Sequence, residues 1–177
     1  MLLTGFTWDL PNSSTATGLK KALLNGWNVS GILRYESGRP LIIDMANDMG
    51  GFLFNNHKRP NFVGGDPVAA DGDFDPNADR YFNRDAWTDP GPLTFGNSPR
   101  TQGSVRGFKV FNEDLNISKA FELTGRARMR FEAMFGNIFN RTTFCAPNTN
   151  WSSGAFGQVF TQCNQARSIQ LGVRLDY

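Results

Sequence analysis

The residues with the clearest potential for chemistry are an acidic run and two cysteines. Residues 71–79 carry side-chain oxygens at every second position, a spacing that EF-hand calcium loops use because hard cations need many oxygen ligands on a tight turn. Pro76 stands at the sixth position and Phe82 at the twelfth, where an EF-hand needs glycine and glutamate, so an EF-hand is excluded. A solvated acidic loop is favoured over a looser calcium site, whose ligands would be Asp71, Asp73, Asp75 and Asp79.

The composition excludes several classes of catalyst and cofactor site. One histidine and two cysteines leave no multi-histidine zinc site and no Cys-x-x-Cys cluster. No serine or cysteine lies in a recognisable nucleophile motif, so His57 is interpreted as a surface residue. With 18 Lys+Arg against 16 Asp+Glu in 177 residues, no nucleic-acid partner is expected. We therefore expect a protein that is not an enzyme and that has no cofactor, calcium in the acidic loop excepted.

Alternation of apolar and polar residues predicts the elements that must position these groups. Period-two runs cover about 2–10, 27–35, 111–123, 128–139 and 168–177, and each predicts a β-strand with one apolar and one polar side. The best helix candidate is 17–24. The connections are a medium one at 11–25, a tight turn at 124–126, and two very long ones at 45–109 and 141–167.

Strands of this length fit two architectures, a soluble β-sandwich and a transmembrane β-barrel. A barrel needs strands of about 9–11 residues, and it alternates short turns on one side with long loops on the other. The charged polar faces suit a wet lumen, so the barrel is favoured while the sandwich stays open. The predicted lumen-facing residues are Arg34, Glu36, Asp114, Arg128, Arg130, Glu132 and Arg174. The predicted lipid-facing residues of the last strand are Ile169, Leu171, Val173, Leu175 and Tyr177.

Short motifs follow one another along nearly the whole chain. They lie at 26–32, 37–41, 59–64, 81–83, 94–97, 130–141, 156–159 and 169–177. In this order they resemble the C-terminal barrel region of TonB-dependent outer-membrane receptors, specifically the Oar-like group. Gly136 and the acidic insert at 71–79 depart from that pattern.

The resemblance implies a ligand-gated transporter of the bacterial outer membrane, energised through TonB, with a plug and about 22 strands. We expect residues 1–177 to be the C-terminal part of such a barrel, with the plug absent and about five all-β antiparallel strands, too few to transport alone. The implied partners are outer-membrane lipid, the remainder of the barrel and plug, TonB through the missing N-terminal part, and the barrel-assembly machinery. The alternative is a secreted β-sandwich binding module, in which Trp87 and Trp151 stack on a glycan.

Cys145 and Cys163 fall in the long connection 141–167, which the alternation of short and long connections places outside the cell. Extracellular cysteines tend to pair, so we predict a disulfide, with two free thiols as the alternative. The alternation of connection lengths also predicts that the connections 45–109 and 141–167 leave from one end of the sheet, and 11–25 and 124–126 from the other.

Overall fold

The computed structural model describes residues 1–46, 48, 58–70, 74–125 and 127–177. No helix in these ranges is long and apolar enough to cross a membrane. The elements are β1 (Leu2–Asp9), α1 (Gly18–Leu24), β2 (Trp27–Glu36), β3 (Asn61–Phe62), a 3₁₀ helix (Arg84–Ala86), β4 (Trp87–Thr88), β5 (Val110–Thr124), β6 (Ala127–Gly136) and β7 (Ser168–Asp176).

The chain divides into two compact units, which we call the sheet unit and the long-loop unit. The sheet unit comprises Met1–Glu36, Val110–Thr142 and Asn164–Tyr177. The long-loop unit comprises Ser37–Lys109 and Thr143–Cys163. The two long connections therefore build a folded body, which the alternation pattern alone does not predict.

The sheet unit is an antiparallel meander of five strands in the order β1-β2-β5-β6-β7. The predicted all-β fold and the five strands are confirmed, with one correction at β6. The alternation predicted this strand to about residue 139, but it ends at Gly136. Asn137 adopts a φ of 49°, and its side-chain oxygen accepts from the backbone N–H of Arg141 at 2.8 Å, so the chain turns before Phe139.

The predicted arrangement of the connections is also confirmed. Each strand pairs antiparallel with its neighbour, and β2 meets β5 at the pair Glu36 and Val110. β6 meets β7 at the corresponding end, at Gly136 and Ser168. Both long connections thus leave from one end of the sheet, and the 11–25 connection and the turn after Thr124 lie at the other, which we call the short-turn end.

The register lines up residues of like polarity across all five strands. Residues directly opposite each other in an antiparallel pair point to the same side. One such row runs from Val29 through Ile117 and Ala133 to Leu171. The apolar face consists of Leu2, Thr4, Phe6, Trp8, Trp27, Val29, Gly31, Leu33, Tyr35, Phe111, Glu113, Leu115, Ile117, Lys119, Phe121, Met129, Phe131, Ala133, Phe135, Ile169, Leu171, Val173 and Leu175.

Helix α1 begins one residue after the predicted start and ends where the sequence predicts. Its leucine, lysine and alanine residues are good helix formers. Gly26 then returns the chain to β2 with a φ of 79°. A Cβ at Gly26 would lie 2.5 Å from the carbonyl oxygen of Ala120, so only glycine allows the chain to pass this close to β5.

The long-loop unit has a hydrophobic core of its own, rich in aromatic rings. Phe82 stacks on Phe156 with ring centroids 5.3 Å apart, and Trp87 meets Phe156 edge-on at 5.7 Å. Tyr81 donates its hydroxyl to the carbonyl of Arg106 at 2.6 Å, and burial raises the pKa of this phenol above its usual value. The buried core residues are Ile43, Tyr81, Phe82, Ala86, Trp87, Val105 and Phe156.

The motifs that carry the family resemblance dock onto one another in this unit. The side-chain oxygen of Asn61 accepts from the backbone N–H of Asn97 at 2.9 Å. The side-chain oxygen of Asn97 accepts in turn from the backbone N–H of Phe62 at 2.7 Å. A Cβ at Gly96 would lie 2.0 Å from the carbonyl oxygen of Arg59. The segments at 59–64 and 94–97 are therefore paired by specific amide contacts and a close backbone approach.

The motifs at 37–41 and 81–83 make contacts of the same kind, the first with residues 106–107 and the second with the motif at 156–159. Arg106 donates its Nε to the carbonyl of Gly38 at 2.9 Å, and a Cβ at Gly38 would overlap the carbonyl of Gly107. Tyr81 donates its N–H to the carbonyl of Gly157 at 2.9 Å, where the glycine has a φ of 76°. Motifs far apart in sequence are thus joined through positions that only glycine fills without strain.

Cys145 and Cys163 are joined by a disulfide in the long-loop unit. Their backbone N–H groups donate to the carbonyls of Thr161 and Thr143, at 3.0 and 2.8 Å. The disulfide therefore closes a narrow antiparallel pairing of the chain that the backbone already favours.

Candidate functional site

The predicted lumen-facing residues lie together on one side of the sheet. Glu132 is opposite Ser118 and Gly172, Arg130 is opposite Arg174, and Asp114 is opposite Ile32. Their parity is opposite to that of the apolar face, so we call this side the polar face. It carries all of the predicted residues: Arg34, Glu36, Asp114, Arg128, Arg130, Glu132 and Arg174. That this face lines a lumen stays a prediction.

Three arginines of the polar face each pair with a carboxylate two residues along the same strand. Arg174 donates its Nε to Asp176 at 2.8 Å, two residues along the same strand. Arg130 and Glu132 repeat this spacing on β6 with an N–O distance of 3.7 Å, and Arg34 bonds to Glu36 on β2 in the same way. Residues i and i+2 of a strand share a face, so in each pair the carboxylate balances the positive charge of the neighbouring arginine. The wall is therefore hydrophilic without a strong field of either sign.

Two cavities open along the polar side of the sheet. The larger one, of about 640 Å³, is lined by residues of all five strands, including the end of β6 and the start of β7. Hydroxyl and amide groups of Thr7, Ser30, Asn116 and Gln170 line it, together with the carboxylate of Asp114. The smaller one, of about 360 Å³, lies towards the short-turn end and includes Arg130 and Glu132. Ile32 and Met134 also border the larger cavity, so its lining combines polar and apolar side chains.

The apolar face is uncovered. Leu171 is 82% exposed, and Trp8, Val173 and Ile169 are each more than half exposed. A β-sandwich would bury this face under a second sheet, whereas the only other sheet in the described ranges is the two-stranded β3–β4 pair. The sandwich alternative is therefore wrong, because the residues that would form its core face outwards.

Two charged residues of β5 interrupt the apolar face, and the sequence analysis missed both. Glu113 is only 2% exposed. Its two carboxylate oxygens accept from the Nε of Arg141, each at 3.1 Å. The Arg141 guanidinium also lies 5.7 Å from the ring centre of Phe111. A buried carboxylate is tolerated here because the Arg141 guanidinium compensates its charge.

Lys119 is the second interruption, six positions further along β5, and is 5% exposed. Its amine donates to the carbonyls of Leu23, at 3.2 Å, and of Asn25. The rings of Trp27 and Phe121 lie 5.0 and 5.1 Å from the nitrogen. The ammonium thus reaches past the first residue of β2 to the end of α1, where backbone carbonyls and ring faces replace water.

Simple parity along the strand is the signal that finds these two residues. Glu113 and Lys119 are odd-numbered, like Leu115 and Ile117 between them, and therefore share the apolar face. The partners that compensate them are 28 and about 95 residues away in sequence, and no local pattern indicates that pairing.

The candidate calcium site falls partly outside the described residues. Asp71, Asp73 and also His57 lie outside the ranges that the structure describes. Asp75 and Asp79 are described and are engaged locally: Asp79 accepts the N–H of Asp75 at 2.8 Å, and Asp79 donates its own N–H to the carbonyl of Asp75 at 2.7 Å. Across the described ranges, no three His, Cys, Asp or Glu side chains are grouped as metal ligands would be. Calcium binding there stays a prediction.

The proposed stacking platform of two tryptophans is wrong for one of them. Trp87 is 3% exposed and packs in the core of the long-loop unit, so its ring has no free face. Trp151 is partly exposed, but the Arg84 guanidinium lies 5.2 Å from its ring centre. Aromatic content alone did not distinguish a core ring from a surface ring.

The long-loop unit also holds a buried lysine. Lys58 is 2% exposed, and its amine contacts the carboxylate of Asp48 at 2.8 Å and the carbonyl of Gly91 at 2.8 Å. The hydrogen bond from Lys58 holds the pKa of Asp48 below its usual value of 3.8. The contact is structural, because both partners are used in holding the loop segments together.

Comparison with known proteins gives one match. A family model described as an outer membrane beta barrel domain matches residues 1–170. Searches of curated proteins and of solved structures return nothing that matches. The family accounts for the features above: antiparallel strands, an uncovered apolar face, and long connections at one end only. Because the model matches nearly the whole sequence, the chain belongs to the outer-membrane β-barrel domain family and is a protein of the bacterial outer membrane.

Proposed function

We propose that this chain forms the C-terminal strands of a TonB-dependent receptor of the Oar-like group, which takes up a ligand across the outer membrane. The polar face lines the passage, and both long connections leave the sheet at its extracellular end. The complete receptor serves ligand uptake rather than catalysis, and the five strands of this chain are too few to transport alone. Its partners are outer-membrane lipid, the remaining strands and plug, TonB, and the barrel-assembly machinery.

The observation that carries the proposal is how the resemblance motifs are used. The segments at 59–64 and 94–97 are paired by reciprocal bonds of Asn61 and Asn97. The segments at 81–83 and 156–159 meet through the ring stack of Phe82 on Phe156. Four of the motifs that resemble the receptor family are thus in pairwise contact within one folded unit, which supports a common origin for these four.

The long-loop unit supports a receptor over a simple pore. A preformed surface favours capture of a ligand, because a surface that is already ordered loses less conformational entropy on binding. Here the two long connections share one aromatic core, and a disulfide closes the second of them. The paired charges of the polar face suit a passage that conducts polar solutes without trapping ions of one sign.

Binding to TonB tests the proposal. The full-length protein, purified in detergent, is expected to bind the purified periplasmic domain of TonB, and a version lacking the N-terminal TonB-contacting segment is expected to lose that binding. Calorimetry or pull-down measures the difference. In planar bilayers the full-length protein is expected to be closed to potassium chloride. A permanently open conductance without TonB binding would contradict the proposal and indicate a passive pore instead.

A further inference from the structure

Helix α1 is fastened to the rim of the apolar face. The indole N–H of Trp27 donates to the carbonyl of Leu23 at 2.9 Å, and the amine of Lys119 donates to the same carbonyl and to that of Asn25. Trp27 and Lys119 both belong to the apolar face. The last turn of α1 therefore lies on the side of the sheet that faces lipid in an outer-membrane barrel, at the short-turn end.

The helix has an apolar surface that nothing in the described chain covers. Leu19, Leu23 and Leu24 are 78%, 59% and 57% exposed, and α1 buries none of its residues. Leu19 and Leu23 are four positions apart and so lie on one side of the helix. Lys20 and Lys21, also exposed, border these leucines. This combination of exposed leucines and lysines is typical of a helix that lies in a membrane interface.

The level of the helix in the membrane follows from Lys119. Lys119 follows Glu113 by six positions on the strand. A full crossing of the membrane takes roughly 9–11 residues, so both residues fall within one crossing. Both charged groups must therefore extend towards the headgroups, and the Lys119 amine does so by reaching α1. Short turns of outer-membrane barrels face the periplasm, so α1 lies at the inner leaflet.

We propose that α1 is an interfacial helix that binds anionic phospholipid of the inner leaflet. Leu19, Leu23 and Leu24 enter the upper acyl region, continuous with the apolar face. The amines of Lys20 and Lys21 contact lipid phosphates, and Lys119 holds the helix at this depth. The inference depends on the barrel family and not on TonB-dependent uptake.

The depth of the helix is measured with a fluorophore on Leu19→Cys in the full-length protein, reconstituted in phosphatidylcholine nanodiscs with and without phosphatidylglycerol. Quenching by nitroxide-labelled lipid is expected, with little quenching by aqueous iodide. A fluorophore on Phe95→Cys, an exposed site of the long-loop unit, is expected to show the reverse. Equal iodide quenching at the two sites would overturn the proposal.

The lipid preference is measured as the association of spin-labelled phosphatidylglycerol relative to phosphatidylcholine. Lys20→Gln with Lys21→Gln is expected to lower this preference, by up to about fivefold for each lysine, while Lys109→Gln, a matched exposed lysine, leaves it unchanged. Heat-modifiable migration on gels shows that each variant is folded. An unchanged preference in the double variant would overturn the contact with phosphate.

Discussion

Neighbouring residues of β7 have opposite surroundings, and a pair of arginine substitutions distinguishes them. Leu171 lies on the apolar face in the row of Ile117, between Glu113 and Lys119, whereas Gln170 lines the larger cavity. Arginine on the lipid face costs about 2–4 kcal/mol near the bilayer midplane. Leu171→Arg is therefore expected to reduce the folded, heat-modifiable fraction of the full-length protein in outer membranes, and Gln170→Arg to leave it nearly unchanged. Equal damage from the two would contradict the assignment of faces.

The compensated carboxylate of Glu113 makes a second prediction at this scale. Arg141→Gln removes the cation and leaves the buried carboxylate without its charge partner, which is expected to lower the free energy of unfolding by about 3 kcal/mol. Adding Glu113→Gln removes the uncompensated charge, so the double variant is expected to recover part of the loss. Urea unfolding of the refolded protein in detergent measures the series. A double variant less stable than Arg141→Gln would show that the pair is not coupled in this way.

At the scale of elements, the disulfide decides how firmly the long-loop unit is held. Closing a loop of 18 residues contributes roughly 3 kcal/mol on the chain-entropy model. Cys145→Ser with Cys163→Ser is expected to destabilise the long-loop unit by about that amount, measured as faster cleavage by protease added to intact cells. The sheet unit, whose strands pair without this bond, is expected to keep its heat-modifiable band.

Thiol chemistry provides the matched control. Protein taken from the envelope without reductant is expected to show almost no labelling by maleimide, and Cys145→Ser alone is expected to expose one reactive thiol at Cys163. Complete labelling of the unreduced native protein would mean that the two cysteines are not joined in the cell.

For the whole molecule, the strand topology predicts which segments face which compartment. Phe95 lies in the long-loop unit and Ser14 in the connection at the short-turn end, and both are exposed. A membrane-impermeant maleimide is expected to label Phe95→Cys on intact cells, and Ser14→Cys only after the outer membrane is permeabilised. Labelling of Ser14→Cys on intact cells would contradict the predicted orientation of the barrel, because it would place the short-turn end outside the cell.

The amino-acid sequence by itself determined the strands, the helix and the polarity of the two faces. Period-two alternation is a local property, because successive side chains of a strand point to opposite sides. Each of the five predicted runs contains a strand, although β6 ends at Gly136 rather than near residue 139. The sequence also indicated which end of the sheet carries the long connections, since connection lengths are read directly from the spacing of the runs. It predicted the Cys145–Cys163 pair from that placement.

Only the tertiary structure decided how the long connections fold and how the apolar face accommodates its two charges. The reciprocal bonds of Asn61 and Asn97 and the stack of Phe82 on Phe156 join residues 36 and 74 positions apart, and Lys119 is compensated by carbonyls 94 and 96 positions away. Alternation fixes only the side of the sheet to which a residue points. What it meets there depends on contacts between distant segments, which exist only once the chain has folded.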